Sequence, residues 1–415
     1  MNISSRIGHA ASLYAAILSD PMPADRKMDT WFRARPELGI RDRGHIADDV
    51  YAMLRARRSL SWLCGVDDAT PEDIAAARLI VTGIDPAAME RAGFHAEAIA
   101  KRWRAYDPAT LPTAVAFDMP DALQERFDSQ WGPEQAQQLA RALNLPATVD
   151  LRVNLIKCQR AQAAERLEAE GFPATLTPFS PVGLRRNERA SLFRTATFGD
   201  GWIEVQDEGS QLVALLVEPR RREMVADFCA GGGGKTLALG AMMANSGSLY
   251  AFDTSAARLQ RLATRVKRAG LDNVRVATLA HENDDRVKRL AGKMDRVLVD
   301  APCSGTGTLR RNPDIKWRPL DVARFVDVQT RILAAAARLV KPGGRLVYAT
   351  CSLLNEENDG VVGAFLAEHT EFRPLSAQAI LDRRGVDLKL DDDYLRLLPH
   401  RHGTDGFFAA VLARS

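Results

Sequence analysis

Leu298-Val-Asp-Ala-Pro-Cys-Ser-Gly-Thr-Gly307 and Val347-Tyr-Ala-Thr-Cys-Ser352 decide the reading of this chain. Each is an apolar run that ends in a small polar turn carrying a cysteine. In an open α/β sheet, ligands bind beyond the carboxyl ends of the strands. The two runs therefore place Cys303 and Cys351 at the rim of one pocket. Two thiols above a nucleotide site suggest covalent chemistry on a base.

Outward from these runs, the pattern from about residue 205 is strand–helix alternation, the signature of a mostly parallel sheet. Strands are expected at 224–228, 248–252, 274–279, 296–299 and 344–349. Helices are expected at 235–243, 256–269, 322–339 and 356–368. The short apolar run 407–412 reads as an antiparallel edge strand.

Asp227-Phe-Cys-Ala-Gly-Gly-Gly-Gly-Lys-Thr236 follows the first of these strands and opens a helix, and Asp253 ends the next strand. Glycines let backbone approach a ligand, and an acid at that second strand end suits ribose hydroxyls. Cys229, Ala230, Gly231, Gly232, Gly233, Gly234, Lys235 and Asp253 are thus the expected cofactor-binding residues. A tight structural turn is the plainer alternative. The spacing around Lys235 is not that of a phosphate loop, and the run matches a dinucleotide fingerprint only loosely. Neither phosphate nor nicotinamide chemistry explains two strand-end cysteines. S-adenosylmethionine does, because a thiol nucleophile activates a pyrimidine for methylation.

The 415 residues exceed one ordinary core, and 46% hydrophobic with 26% charged residues describes a globular protein. No apolar run is long enough to span a bilayer, and the first residues lack a signal-peptide core. Five cysteines without paired spacing fit a reducing cytosol, and no Cys/His cluster has zinc spacing. The expectation is a cytoplasmic monomer that uses no metal and no membrane.

Residues 1–145 read as a helical N-terminal domain, with apolar residues at helical spacing over 7–18, 25–33 and 45–54. A further helical stretch over 122–143 is broken by Gly132-Pro133. Residues 146–204 read as a small α/β module, opened by the alternating strand Val149-Asp-Leu-Arg-Val-Asn154 and a helix near 161–170. The alternative attaches that module to the last domain as an extension. Residues 205–415 form the third domain.

Three stretches resemble the signature motifs of the Sun/Nop family of RNA (cytosine-5)-methyltransferases: Asp227–Thr236, Asp300-Ala-Pro-Cys-Ser-Gly-Thr-Gly-Thr-Leu-Arg-Arg-Asn-Pro-Asp-Ile-Lys-Trp317, and Tyr348-Ala-Thr-Cys-Ser352. Gln206-Asp-Glu-Gly-Ser-Gln211 and Thr404-Asp-Gly-Phe-Phe408 resemble its flanking motifs. The similarity runs from about Val149 to the end. Leu38-Gly-Ile-Arg-Asp-Arg43 and Tyr51-Ala-Met-Leu-Arg55 resemble the helical domain of bacterial Sun-type ribosomal RNA methyltransferases. The resemblance implies a multidomain α plus α/β protein: an N-terminal helical domain, a small α/β RNA-binding module, and a C-terminal Rossmann-like S-adenosylmethionine methyltransferase sheet.

The chain departs from the family at Gly231-Gly232, where Ala-Pro is usual. The extra glycine implies a looser loop, at about 0.5–1 kcal/mol of ordering per site. The aspartate usually found near the adenine falls in the stretch Ala280-His-Glu-Asn-Asp284, where Glu282 is one option.

Chemistry alone leaves open which cysteine attacks. The resemblance implies that Cys351 is the nucleophile and that Cys303 assists breakdown of the adduct. In DNA cytosine methyltransferases the Pro-Cys cysteine attacks, which is the reversed assignment. By the same resemblance Asp300 lies near both cofactor and base, where it can accept from the cytosine amine, and Lys235 helps position the site.

The substrate implied is RNA, most of all 16S ribosomal RNA, single-stranded or flipped out at the target base. Transfer RNA is the alternative substrate. A non-catalytic RNA-binding assembly factor and a nicotinamide oxidoreductase are alternatives of other classes. Arg152 and Asn154 in the small module, and Arg310, Arg311 and Lys316 with Trp317 beside them, are the expected RNA contacts. Arg185, Arg186, Arg189 and Arg194, then Arg220–Arg222, form further basic clusters. Such clusters with an aromatic suit phosphates and unstacked bases, and equally an ordinary solvated surface.

Overall fold

The computed structural model describes residues 1–66, 68–187 and 192–415. Its backbone packs into two compact units. One is Met1–Pro146 with Thr308–Leu320, and the other is Ala147–Gly307 with Asp321–Ser415.

The first unit is helical. Its helices include Ile3–Leu18, Ala24–Arg33, Ile40–Arg55, Arg57–Cys64, Pro71–Val81, Asp121–Trp131 and Pro133–Asn144. Ile7, Ala10, Ala11, Tyr14 and Ile17 recur at helical spacing and are all buried. Thr70 and Asp73 form a capping box that starts Pro71–Val81. Gly132, at φ +78°, ends one helix, and Pro133 opens the next. This is the break expected inside 122–143.

Residues 308–320 fold into this helical unit, so the stretch 205–415 is not one continuous domain. The Trp317 indole donates to the Leu54 carbonyl at 2.6 Å. Lys316 Nζ donates to the carbonyls of Arg55 and Asp118 and to Asn144 Oδ1, at 2.8, 2.9 and 2.6 Å. Arg55 ends a helix, where carbonyls without an intrahelical donor favour a cation.

The second unit holds two sheets. The smaller joins β1 (Val149–Val153), β2 (Thr175–Leu176), β3 (Gly183–Arg186) and β4 (Ile203–Val205) in the antiparallel order β2-β3-β1-β4. Asn154 Nδ2 donates to the carbonyls of Gly201 and Ala269, tying this sheet to the helix Ala256–Ala269. The small module thus packs with the larger sheet in one unit, the arrangement set out above as the alternative.

The larger sheet contains β5 (Met224–Asp227), β6 (Ser248–Asp253), β7 (Val274–Thr278), β8 (Met294–Asp300), β9 (Val340–Thr350), β10 (Phe372–Leu375), β11 (Leu395–Leu397) and β12 (Phe407–Arg414). Its order is β10-β12-β9-β8-β5-β6-β7, with β11 also on β12. Strands β5 to β9 are parallel. Strand β12 is antiparallel to β9, as expected, yet it is no edge: β10 and β11 cover its other side. Its consecutive buried residues from Phe407 to Leu412 match a strand covered on both faces. The expected helix over 356–368 begins as a π-helical turn, Glu356–Gly360, before Val361–Glu368.

Candidate active site

Parallel pairing aligns the carboxyl ends of β5, β8 and β9. Asp227 stands opposite Leu298, and Asp300 opposite Ala349. The two cysteine turns leave β8 and β9 side by side, and Cys303 Sγ lies 3.3 Å from Cys351 Sγ. Both are free thiols of intermediate exposure. The hydrogen bond with Cys351 and then burial push the Cys303 thiol well above its usual range. The two sulfurs are thus in hydrogen-bond contact, and that contact together with burial disfavours ionisation of Cys303.

The turns are held from below by one fully buried carboxylate. Glu357 accepts from Ser304 N at 2.9 Å, from Gln329 Nε2 at 2.8 Å and from Ser352 Oγ at 2.6 Å, and also from Ser304 Oγ. The Gly307 amide donates to the Cys351 carbonyl at 2.9 Å. A Cβ at Gly307 would meet backbone at 2.2 Å, so only glycine fits there.

Lys235, buried in the first turn of its helix, donates to Asp300 Oδ2 at 2.8 Å. Burial opposes its charge, but Asp300 outweighs that and raises the lysine above its ordinary value. Lys235 also faces the Phe407 ring at 5.2 Å.

Beside this pair lies a cavity of about 360 Å³, lined among others by Phe228, Cys229, Gly231, Asp253, Asp300 and Glu282. That volume lies within the usual range for small-molecule sites. Asp253 Oδ2 accepts from the Gly231 amide at 2.9 Å, which fixes the glycine loop against β6. Gly231, at φ +53°, adopts a conformation that glycine takes at little cost. At Gly233 a Cβ would stand 2.1 Å from Leu262. Asp227 is fully buried at the mouth of the loop. Its Oδ2 accepts from Thr236 at 2.6 Å, while Oδ1 has no partner among the described residues. An orphaned acceptor beside a glycine loop and a ribose-type acid fits the amino group and ribose of S-adenosylmethionine.

Cys229, Gly231, Asp253 and Asp300 line this cavity, and Glu282 does too, held by Arg331 at 2.5 Å. Ala230, Gly232, Gly233, Gly234 and Lys235 support the loop around it: the Gly232 carbonyl turns away to accept from Arg265, and Gly234 starts the helix.

Most of the expected RNA contacts are corrected. Arg152 is only 4% exposed and donates to Gln206 at 2.7 Å, and Asn154 is spent on two backbone carbonyls. Lys316 is 4% exposed with three acceptors, and Arg310 is buried with its carbonyl taken by Arg55. Arg311 is half-buried. Arg185 pairs with Asp150 and Glu208, Arg186 binds the Pro173 carbonyl, and Arg189 lies outside the described residues. Arg194 is exposed. Arg220–Arg222 are exposed but precede β5, at the strand end opposite the site.

The sequence reading passed over Glu357, Gln329 and Arg331. Glu357 stands six residues after Cys351 in an acidic run that looks like a solvated helix start. Only the meeting of two turns from distant segments reveals its role.

Residues 214–413 match the family described as 16S rRNA methyltransferase RsmB/F, and residues 119–192 match the ferredoxin-like domain of the same group. A probable ribosomal RNA small subunit methyltransferase B of Synechocystis sp. is 35% identical, over 74% of this chain and 70% of that protein. A protein of the same description from Bacillus subtilis is 36% identical, over 72% and 67%. A methyltransferase homolog from Pyrococcus horikoshii, of known crystal structure, is 29% identical with TM-score 0.64, over 75% of this chain and all of that one. The chain belongs to the RsmB/F family of S-adenosylmethionine-dependent RNA methyltransferases.

Proposed function

We propose that this protein methylates carbon 5 of a cytosine in small-subunit ribosomal RNA, with Cys351 as nucleophile and Cys303 assisting breakdown of the covalent adduct. The observation that carries this reading is the 3.3 Å sulfur pair beside Asp300 and the glycine-loop cavity.

Cys351 thiolate adds to carbon 6 of the ring, forming an S–C bond and turning carbon 5 into an enamine-like nucleophile. S-adenosylmethionine, when bound, supplies an electrophilic methyl group at that carbon. That methyl would leave its sulfonium as a neutral thioether; the proton on carbon 5 is then lost to solvent, the C–H pair restores the carbon 5–carbon 6 double bond, and the S–C pair returns to Cys351. Cys303 lies against the departing sulfur and stabilises it through its S–H. Asp300, about a third exposed, accepts from the exocyclic amine of cytosine, and Lys235 holds its other face.

The described surface that best suits RNA is not the one expected. It is an open groove lined by Phe193, Phe198, Glu204, Val205, Arg261, Thr264, Arg265 and Arg268, where Glu204 pairs with Arg265 and Arg268. Phe193 is 68% exposed, and Arg261 is exposed with no ion pair among the described residues. Exposed aromatic and cation together suit a stacked base and its phosphate.

Methyl transfer to small-subunit ribosomal RNA from a strain lacking the gene, followed by bisulfite sequencing, tests the reading. One new 5-methylcytosine in that RNA is expected. Methylation of transfer RNA alone, or no methylation, contradicts it.

A further inference from the structure

Glu357 takes no part in the bond changes of methyl transfer, yet it is the point at which both cysteine turns meet. Ser304 follows Cys303, Ser352 follows Cys351, and both hydroxyls bond to the same carboxylate oxygen, Oε1. The other oxygen accepts from Ser304 N and Gln329 Nε2, and Gln329 Nε2 also holds the Pro302 carbonyl at 3.0 Å. The backbone around Glu357 is bound in turn. Its carbonyl accepts from Tyr348 Oη at 2.7 Å, and the next residue, Asn358, is bonded to Thr350 Oγ1 and to the Ser352 carbonyl. A π-helical turn, Glu356–Gly360, presents this carboxylate, and such turns recur at functional sites.

No cation pairs with Glu357 among the described residues; its four contacts are all neutral donors. A buried carboxylate is expensive to place when neutral donors alone satisfy it. Here it supplies two things that a neutral side chain does not: acceptors for four donors from three segments, and a negative charge beneath the sulfur pair.

We propose that Glu357 is a positioning residue for methyl transfer: its carboxylate fixes the separation of Cys303 and Cys351 and sets a negative charge beneath the Cys303 turn. The proposal rests on the cysteine roles given above. The charge of Glu357 is among the causes that keep the Cys303 thiol protonated. The other titratable groups around the pair are Lys235 and Asp300, Asp227 and Cys229 at the end of β5, and Tyr348 on β9. Of these, Lys235 is the only cation, and it faces Cys351.

Two substitutions separate tie from charge. In Glu357→Gln, the amide oxygen satisfies Ser304 N and Gln329 Nε2, while the amide NH2 donates to the two serine hydroxyls, which rotate to accept. That variant keeps the ties and removes the charge. Glu357→Asp keeps the charge and withdraws it from the turns.

The test is iodoacetamide labelling of the full-length protein from about pH 6 to about pH 10, read separately at Cys303 and Cys351 by peptide mass spectrometry. No RNA is needed, so failure of the cysteine assignment and failure of the Glu357 assignment are read in different experiments. In Glu357→Gln the labelling midpoint of Cys303 is expected to fall by about one pH unit, and kcat by about tenfold or more, with KM for S-adenosylmethionine unchanged. Glu357→Asp is expected to lose turnover to a similar extent. A Cys303 midpoint that stays at its wild-type value in a folded Glu357→Gln variant overturns the proposal, whatever the activity, because that is the outcome of a merely structural role. If the Gln variant fails to bind S-adenosylmethionine in calorimetry, Ser352→Ala removes one tie and leaves the charge. Lower kcat with an unmoved Cys303 midpoint supports the proposal there, and wild-type kcat overturns it.

Discussion

Cys303 Sγ and Cys351 Sγ stand 3.3 Å apart at the ends of neighbouring parallel strands, so the two thiols are in direct hydrogen-bond contact. The residues that follow them bond to one carboxylate, and this makes the separation a property of the fold rather than of two loops.

The Lys235–Asp300 ion pair sets a second expectation. Asp300→Asn removes the counter-ion of a buried lysine and an acceptor for the cytosine amine. Breaking a buried pair costs several kcal/mol, but Asp300 is 32% exposed, so a loss of about 1–3 kcal/mol is expected. Turnover should fall by about two orders of magnitude or more with the fold intact. Chemical denaturation together with a methyl-transfer assay checks both, and normal turnover would remove Asp300 from the mechanism.

Asp227 predicts a pH dependence. Burial lifts its carboxyl from 3.8 to about 7, with the Thr236 hydrogen bond pulling the other way and Asp300, Lys235 and Asp253 as the charged neighbours. Between those values the folded chain holds a proton that the unfolded chain has lost. Its contribution to stability therefore falls as pH rises, and the loss is complete above about pH 7, on the order of 4 kcal/mol. Denaturation of the cofactor-free protein across this window should show that fall, and Asp227→Asn should flatten it. An equally steep slope in the variant would contradict the assignment.

Lys316 behaves as a structural cation. Burial lowers it to about 7, and its ammonium donates to three oxygens. Lys316→Ala should destabilise the protein by about 2–4 kcal/mol through unsatisfied acceptors. The salt dependence of RNA binding should stay as in wild type. A reduced salt slope with an unchanged melting temperature would restore Lys316 to the RNA interface.

Arg261 is the reverse case. Arg261→Gln should leave the melting temperature within about 1 °C and lower the salt slope of RNA binding by about one phosphate contact. Phe193→Ala should weaken binding by about 1–3 kcal/mol without changing that slope. Unchanged affinity in both variants would exclude the groove.

Chemistry that is local in the chain was legible before the structure. A strand, a glycine run and a following acid specify a cofactor cleft, because each is a backbone requirement written in neighbouring residues: Gly231 at positive φ, Asp253 holding its amide. The cysteine turns were legible for the same reason. The fate of charged side chains was not. Arg152, Arg310 and Lys316 read as surface cations because burial depends on partners dozens to hundreds of residues away, such as Asn144 for Lys316. Glu357 was hidden in the opposite sense, as an acid in a solvated-looking run that two distant turns enclose. The segment 308–320 follows the Pro302-Cys303 turn directly, yet it packs with the N-terminal helices because Trp317 and Lys316 find their acceptors there.

A denaturing gel of RNA incubated with Cys303→Ala and with Cys351→Ala, in the presence of S-adenosylmethionine, tests the division of labour between the sulfurs most directly. A protein–RNA species that survives denaturation is expected for Cys303→Ala, and no such species and no methylation for Cys351→Ala. A trapped species with Cys351→Ala and none with Cys303→Ala would contradict it.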